Sequence, residues 1–289
     1  MHNKNIIIIG GTDGIGRAIA DQLVQNNTVL IVGRSKQKGE HFAASNPTNG
    51  KYLIADVSVL NNIPTIVSEI RAIFPSLDYI IHTADNLRVK RVNTEEGLEK
   101  SIALNYYSRV LLNQLLVGDD ATYTPERIIH VAAAGFPSSK SFMKNFPLPE
   151  KASSFKGHGL GQLANDFYGL HMREKLAKKG IKINILNPGM VDTNIRRNGQ
   201  FPTLAKKLLF PLLGLILKTR TPAEYVEVPL AIINGDNDAA NQSILINSKG
   251  NRIKGSRNVN NAKTQQALYD FTTRQINDLL KSDKVERWL

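Results

Sequence analysis

Gly10, Gly14 and Gly16, spaced G-x3-G-x-G, follow directly on the apolar run Ile6–Ile9. Glycine lets a backbone turn tightly and come close to a phosphate, and a helix starting there offers its positive end to negative charge. Between a strand and an amphipathic helix, such a loop reads as a place to hold a dinucleotide pyrophosphate. The commoner fingerprint is G-x-G-x-x-G; the spacing differs but the physics is shared. The next apolar run ends Val32-Gly33-Arg34-Ser35. An acidic residue there would hold ribose hydroxyls, whereas Arg34, helped by Ser35, fits a ribose 2′-phosphate. The expected cofactor is therefore NADP(H).

The elements that must position this loop are legible in the hydrophobic pattern. Short, continuous apolar runs at Ile6–Ile9, Thr28–Val32, Tyr52–Ala55, Tyr79–Ile81, Ile128–Val131, Ile181–Leu186 and Ser243–Ile246 read as strands buried on both faces. Ile15, Ile19 and Leu23 repeat at helical spacing, and Glu95–Val117 and Gly159–Lys179 are the longest predicted helices. Strands alternating with helices predict an α/β, doubly wound (Rossmann-like) parallel sheet of about seven strands, with helices on both faces. A single domain over residues 1–289 accommodates it. Gly135–Lys156, rich in Ser, Pro and Lys, is long for a loop and reads as a functional lid or a mobile insertion.

Bulk composition narrows the partners. Lys and Arg total 37 against 25 acidic residues, a net charge of +12 that favours anionic ligands such as a phosphorylated cofactor or an acidic carrier. The basic residues are scattered apart from Arg196-Arg197 and a group from Lys249 to Arg257, so no nucleic-acid surface is expected. The chain has no cysteine, which excludes disulfides, thiolate metal sites and a cysteine nucleophile, and no other metal site is read. The start, MHNKNIIIIGG, does not resemble a signal peptide. The apolar stretch Leu208–Leu217, broken by Pro211 and Gly214, is too short to span a bilayer, which takes about 20 residues. Within Phe201–Leu217, it is expected to form a pocket flap in preference to a membrane contact. A cytoplasmic location is expected.

On these residues the chain resembles the short-chain dehydrogenase/reductase family. Gly10-x3-Gly14-Ile15-Gly16 matches the family's cofactor loop, although the usual preceding Thr is Ile9. Asp56-Val57 matches the adenine-binding pair, and Asn105 falls where the family keeps a structural and catalytic Asn. Asn187-Pro188-Gly189-Met190-Val191-Asp192-Thr193 matches the segment that packs on the nicotinamide. Asn93–Glu99, Leu163-Ala164-Asn165 and Leu268–Thr272 are similar to the retinol dehydrogenase-like branch. The resemblance implies cofactor contacts at Gly10, Thr12, Gly14, Ile15 and Gly16 of the loop, and at Arg34 and Ser35. It adds Asp56, Val57, Ala84, Pro188, Gly189 and Thr193. It also implies a homodimer or homotetramer.

The departures bear on chemistry. No Tyr-x-x-x-Lys occurs in the chain. The register set by Leu163-Ala164-Asn165 puts His158 at the family's catalytic Tyr and Gln162 at its Lys, and Ala133 replaces the catalytic Ser. Of the family's catalytic residues only Asn105 remains, so the usual acid–base relay is lost. Imidazole can donate a proton near neutral pH without a lysine, which makes His158 the replacement candidate. His82, at the end of the fourth strand, is expected to approach the cofactor. Asp85, at a family glycine position, is expected to crowd the site and repel phosphate. The sequence therefore predicts a divergent member that acts on a small apolar or carrier-bound molecule. The reaction is either redox with His158 as proton donor, or a non-redox cyclisation, isomerisation or elimination. The alternative is an inactive cofactor-binding or scaffold protein.

Overall fold

The computed structural model describes residues 1–117, 123–138, 140–195 and 219–280. Arg196-Arg197 and the expected flap Phe201–Leu217, including Leu208–Leu217, lie outside the described residues.

The strands are β1 (Asn5–Ile9), β2 (Thr28–Gly33), β3 (Gly50–Ile54), β4 (Tyr79–His82), β5 (Arg127–Val131), β6 (Lys182–Leu186) and β7 (Leu245–Ile246). They form one seven-stranded sheet in the order β3-β2-β1-β4-β5-β6-β7, and every pairing is parallel. Successive strand residues face opposite sides, so the isoleucines of β1 divide between two cores. Ile7 and Ile9 pack with α3 (Ile63–Ile73), α5 (Ser108–Leu116), α6 (Ser154–Lys178) and the C-terminal helix Ala262–Leu280. Ile6 and Ile8 pack with Ile19 and Leu23 of α1 (Gly14–Leu23), Phe42 of α2 (Lys36–Ser45), and Ile232 and Ile233 of the helix Glu227–Asn234. Each such isoleucine contributes about 1.5–3 kcal/mol by leaving water. The doubly wound sheet with helices on both faces is thus the observed fold.

The long helices start elsewhere than the periodicity predicts. Residues 95–99 are not helical: Gly97 N–H donates to Thr94 carbonyl (3.0 Å), and the chain turns. Buried Glu99 then caps α4 (Lys100–Ile102), accepting from the N–H groups of Ser101 (3.0 Å) and Ile102 (3.1 Å). A π-turn over Ala103–Tyr107 joins α4 to α5. α6 begins at Ser154, not Gly159, because Ser153 caps it by accepting from Lys156 N–H. The expected lid Gly135–Lys156 therefore ends in a helix. Phe142 and Phe146 from it enter the core, Phe142 stacking on Phe167 with centroids 4.4 Å apart. No helix among the described residues is long and apolar enough to cross a membrane.

Candidate active site

β1 lies between β2 and β4, so successive connections leave it in opposite directions and a crevice opens at the carboxyl ends of the strands. A cavity of about 540 Å³ occupies this crevice, within the size usual for small-molecule sites.

The glycine loop forms one wall. Gly10 N–H donates to Val32 carbonyl (2.8 Å), and Ile9 carbonyl accepts from both Thr83 and Ala84 N–H at 2.8 Å. Gly10 has φ +94, and a Cβ there would lie 2.4 Å from Ala84 N, so only bare backbone lets the loop meet the chain after β4. Gly16 serves packing. It does not line the cleft, and a Cβ on it would strike Thr83 Oγ1 at 2.3 Å where α1 crosses the end of β4. The other predicted loop residues, Thr12, Gly14 and Ile15, line the cavity with Gly10. So do Arg34 and Ser35 after β2, Asp56 and Val57 after β3, and Ala84 after β4. Pro188, Gly189 and Thr193 close it from the chain after β6.

Two carboxylates in this half are matched by donors. Asp13, which the sequence did not single out, caps α1: its Oδ1 accepts from Gly14 N–H (2.8 Å). Asn194 Nδ2 donates to both its oxygens (3.1 and 3.0 Å), and the Lys38 ammonium sits on Oδ2. Burial pushes the Asp13 carboxyl up, but Lys38, Asn194 and the Gly14 N–H together outweigh it and hold it below the usual range. Asp56 is also lowered; burial opposes this, and hydrogen bonds from Ser58 (2.6 and 3.0 Å) with the charge of Lys100 (3.2 Å) prevail.

The other half is built on α6. His158 and Gln162 stand one turn apart and so share a helix face, and both line the cavity with Ala133. His158 Nε2 donates to Asp85 Oδ2 (3.1 Å), Gln162 Nε2 donates to the same oxygen (3.1 Å), and Asn86 N–H donates to Asp85 Oδ1 (2.7 Å). Asp85 does not stand free in the cleft as expected; two α6 side chains hold its carboxylate. Burial opposes the imidazolium, but the charge and hydrogen bond of Asp85 outweigh it. With Arg109 opposing and Glu99 adding, the pKa of His158 ends above its ordinary value.

The other predicted polar residues lie deeper. Leu104 lines the cavity whereas Asn105 does not. Fully buried, its side-chain amide has no partner among the described residues, and its carbonyl accepts from Asn165 Nδ2 (3.0 Å). His82 does not approach the cofactor site. It is fully buried, its Nε2–H donates to Asn113 Oδ1 (2.9 Å), and burial, reinforced by Arg109, pushes its pKa down to about 3. Asn113 passes the pattern on to His130 Nε2 (3.0 Å), whose Nδ1–H donates to Asn165 Oδ1 (2.8 Å).

Arg109 was missed by the sequence. It is buried, and its Nη1 and Nη2 each donate at 3.0 Å, to the carbonyls of Val131 and Ala84, tying β5 to the chain that carries Asp85. Burial lowers its pKa to about 10, with Asp85 offsetting part of the loss, so it stays charged at neutral pH. The available signal was a lone arginine in the otherwise apolar run Val110–Leu112 and Tyr106-Tyr107, four residues beyond Asn105.

Comparison with known proteins agrees with this architecture. The short chain dehydrogenase family profile matches residues 4–135. Mouse retinol dehydrogenase 14 is 24% identical over 247 residues, covering 80% of this chain and 74% of that one. Human polyprenol dehydrogenase is 26% identical over 276 residues, covering 91% and 82%. A Caenorhabditis elegans short-chain dehydrogenase/reductase of unknown function, solved with cofactor, shares the fold with a TM-score of 0.66 at 20% identity over 92% of this chain and 96% of that one. A Burkholderia cenocepacia short chain dehydrogenase in complex with NADP shares it at 0.59 and 18% identity, over 80% and 90%. The chain thus carries the short chain dehydrogenase profile over residues 4–135 and is similar to retinol and polyprenol dehydrogenases over most of its length.

Proposed function

We propose that this chain is an NADP(H)-dependent oxidoreductase acting on an apolar alcohol or carbonyl compound, with His158 as its proton donor and acceptor. The observation that carries the reading is the placement of His158 on the same cavity as the glycine loop and Arg34. The cavity chemistry fits the cofactor: Arg34, Lys38 and the Ser35 hydroxyl line one end and suit an added phosphate. Asp13 and Asp85, the two charges that would oppose phosphates, are each already paired. The name of the Burkholderia protein's ligand, and the retinol and polyprenol of the relatives' names, support the cofactor and the apolar substrate.

The bound nicotinamide would supply or accept the hydride. In reduction, His158 gives a proton to the carbonyl oxygen and becomes neutral; in oxidation it takes the hydroxyl proton. Ala133 offers no hydroxyl to that oxygen, so the imidazole alone would orient it. Gln162 contributes no charge and its amide is engaged with Asp85, so a cofactor ribose would lack an ionic partner there. The substrate is a small apolar or carrier-bound molecule, the working location the cytoplasm, and the assembly a homodimer or homotetramer.

Calorimetric titration with NADPH and NADH, followed by NADPH oxidation assays with a panel of small apolar aldehydes, tests the reading. Selective NADPH binding and aldehyde-dependent oxidation are expected; failure to bind either nucleotide would overturn it. The presence of Ala133 and Gln162 favours a second reading, a cofactor-binding protein without turnover. Tight NADPH binding without hydride transfer to any substrate in a broad carbonyl panel would select it.

A further inference from the structure

We propose that Asp85 is a positioning residue: from the loop after β4 it grips Nε2 of His158 and so leaves Nδ1 as the nitrogen that exchanges protons with the substrate. The inference rests on the reading of His158 as proton donor, and extends it to a residue that looks harmful in the sequence.

The geometry carries it. Asp85 Oδ1 is held by its own chain through Asn86 N–H at 2.7 Å, which sets the carboxylate plane. Oδ2 then takes His158 Nε2 and Gln162 Nε2, both at 3.1 Å, from successive turns of α6. Gln162 thus fastens the second side of the carboxylate and limits its rotation. His158 Nδ1 makes no hydrogen bond among the described residues, although the side chain is only 20% exposed and lines the cavity. A ring with one nitrogen anchored and the other without a hydrogen bond, on a side chain that lines a cleft, is an arrangement suited to general acid–base catalysis, with the carboxylate fixing tautomer and orientation.

Electrostatics point the same way. The charged groups that face His158 are Asp85 from the loop, Arg109 from α5 and Glu99 from the cap of α4. The two carboxylates favour the imidazolium and Arg109 opposes it, with a net upward shift. Arg109 also anchors the backbone of Ala84, the residue before Asp85, at 3.0 Å. Its charge therefore steadies the loop and offsets Asp85 inside a buried region. Of the three charged groups Asp85 is the one hydrogen-bonded to the imidazole, whose Nε2 also lies 3.4 Å from Gln162 Nε2. The upward shift favours the imidazolium, the form that can give a proton to a carbonyl oxygen.

The test is a histidine NMR titration of the full chain, with the His158 signal assigned by its loss in His158→Phe. Wild-type His158 should titrate above 6.5, the ordinary value. In Asp85→Asn, which keeps shape and loses charge, the midpoint should fall by roughly one unit or more, and Asp85→Glu should recover part of the shift. An unchanged midpoint in a folded Asp85→Asn protein would overturn the proposal; if that variant does not fold, the same reading on Asp85→Ser decides it. The pH profile of NADPH-dependent reduction separates the two claims. A profile that moves with the His158 midpoint in Asp85→Asn supports both. A profile that stays while the midpoint moves leaves the Asp85 grip intact and removes His158 as donor.

Discussion

On the proposed reading, His158 takes over from several side chains, which requires that its surroundings change with it. A phenol needs a nearby cation to give up its proton near neutral pH, whereas an imidazole needs only orientation and a modest electrostatic bias. Asp85 supplies both at 3.1 Å, from a position 73 residues away in sequence. Replacing His158 with Phe should lower the turnover of carbonyl reduction by roughly 10²–10⁴-fold while leaving NADPH affinity nearly unchanged, read by steady-state kinetics beside calorimetry. At the other end of the cavity, Arg34→Ala should weaken NADPH binding about tenfold or more and leave NADH binding unaffected. A charge-assisted bond to phosphate is worth on the order of 1.5–3 kcal/mol. Equal loss for both nucleotides would move the added phosphate away from Arg34. Arg34 was legible because it follows a strand at a fixed offset from the loop. Asp13 was not, because nothing in the sequence shows that Lys38 and Asn194 converge on it.

At the scale of elements, the helices that floor the cavity owe their placement to capping more than to periodicity. Glu99 is 2% exposed and receives two backbone N–H groups and the Ser154 hydroxyl, so one carboxylate starts α4 and meets the first turn of α6. Glu99→Ala should lower stability by about 1–3 kcal/mol in a chemical denaturation curve, since it leaves buried donors unsatisfied. An unchanged midpoint would mean that water replaces the carboxylate. Apolar spacing suggested a helix from Glu95 and another from Gly159, yet the caps at Glu99 and Ser153 moved both starts. The period reports which face is buried; the boundary depends on which side chain reaches the free N–H groups.

For the whole molecule, the buried titratable groups predict how stability depends on pH. Burial raises the Asp166 carboxyl from 3.8 to about 7, against a hydrogen bond from Gly135 N–H at 2.8 Å. Between these values the unfolded chain has released the proton that the native state keeps, so stability falls as pH rises from about 4 to 7 and levels above. Asp166→Asn keeps an acceptor for Gly135 and removes the titration. Its stability relative to the parent should grow across that window by on the order of a few kcal/mol, measured by denaturation at pH 4 and pH 8. His82 and His130 act in the opposite sense. Both are held neutral by burial, so below 6.5 the unfolded chain takes up protons that the native state cannot, and stability falls with pH. A variant whose advantage does not change with pH would show that Asp166 is ionised throughout.

The seven strands and the loop between β1 and α1 were written in local pattern, because strand period, helix period and glycine placement act over neighbouring residues. Burial on both faces fails at β3, which lies at the sheet edge and leaves Lys51 and Ile54 exposed. The loss of Tyr-x-x-x-Lys was equally plain in the chain itself. Three arrangements belonged to tertiary structure alone: the clasp of Asp85 by His158 and Gln162, the burial of Arg109 beneath it, and the withdrawal of His82 and Asn105 from the cleft. Each depends on which strand ends and helix faces the parallel order of the sheet brings together. Hydrogen bonds and charges act through space, so their partners are set by packing and not by proximity along the sequence.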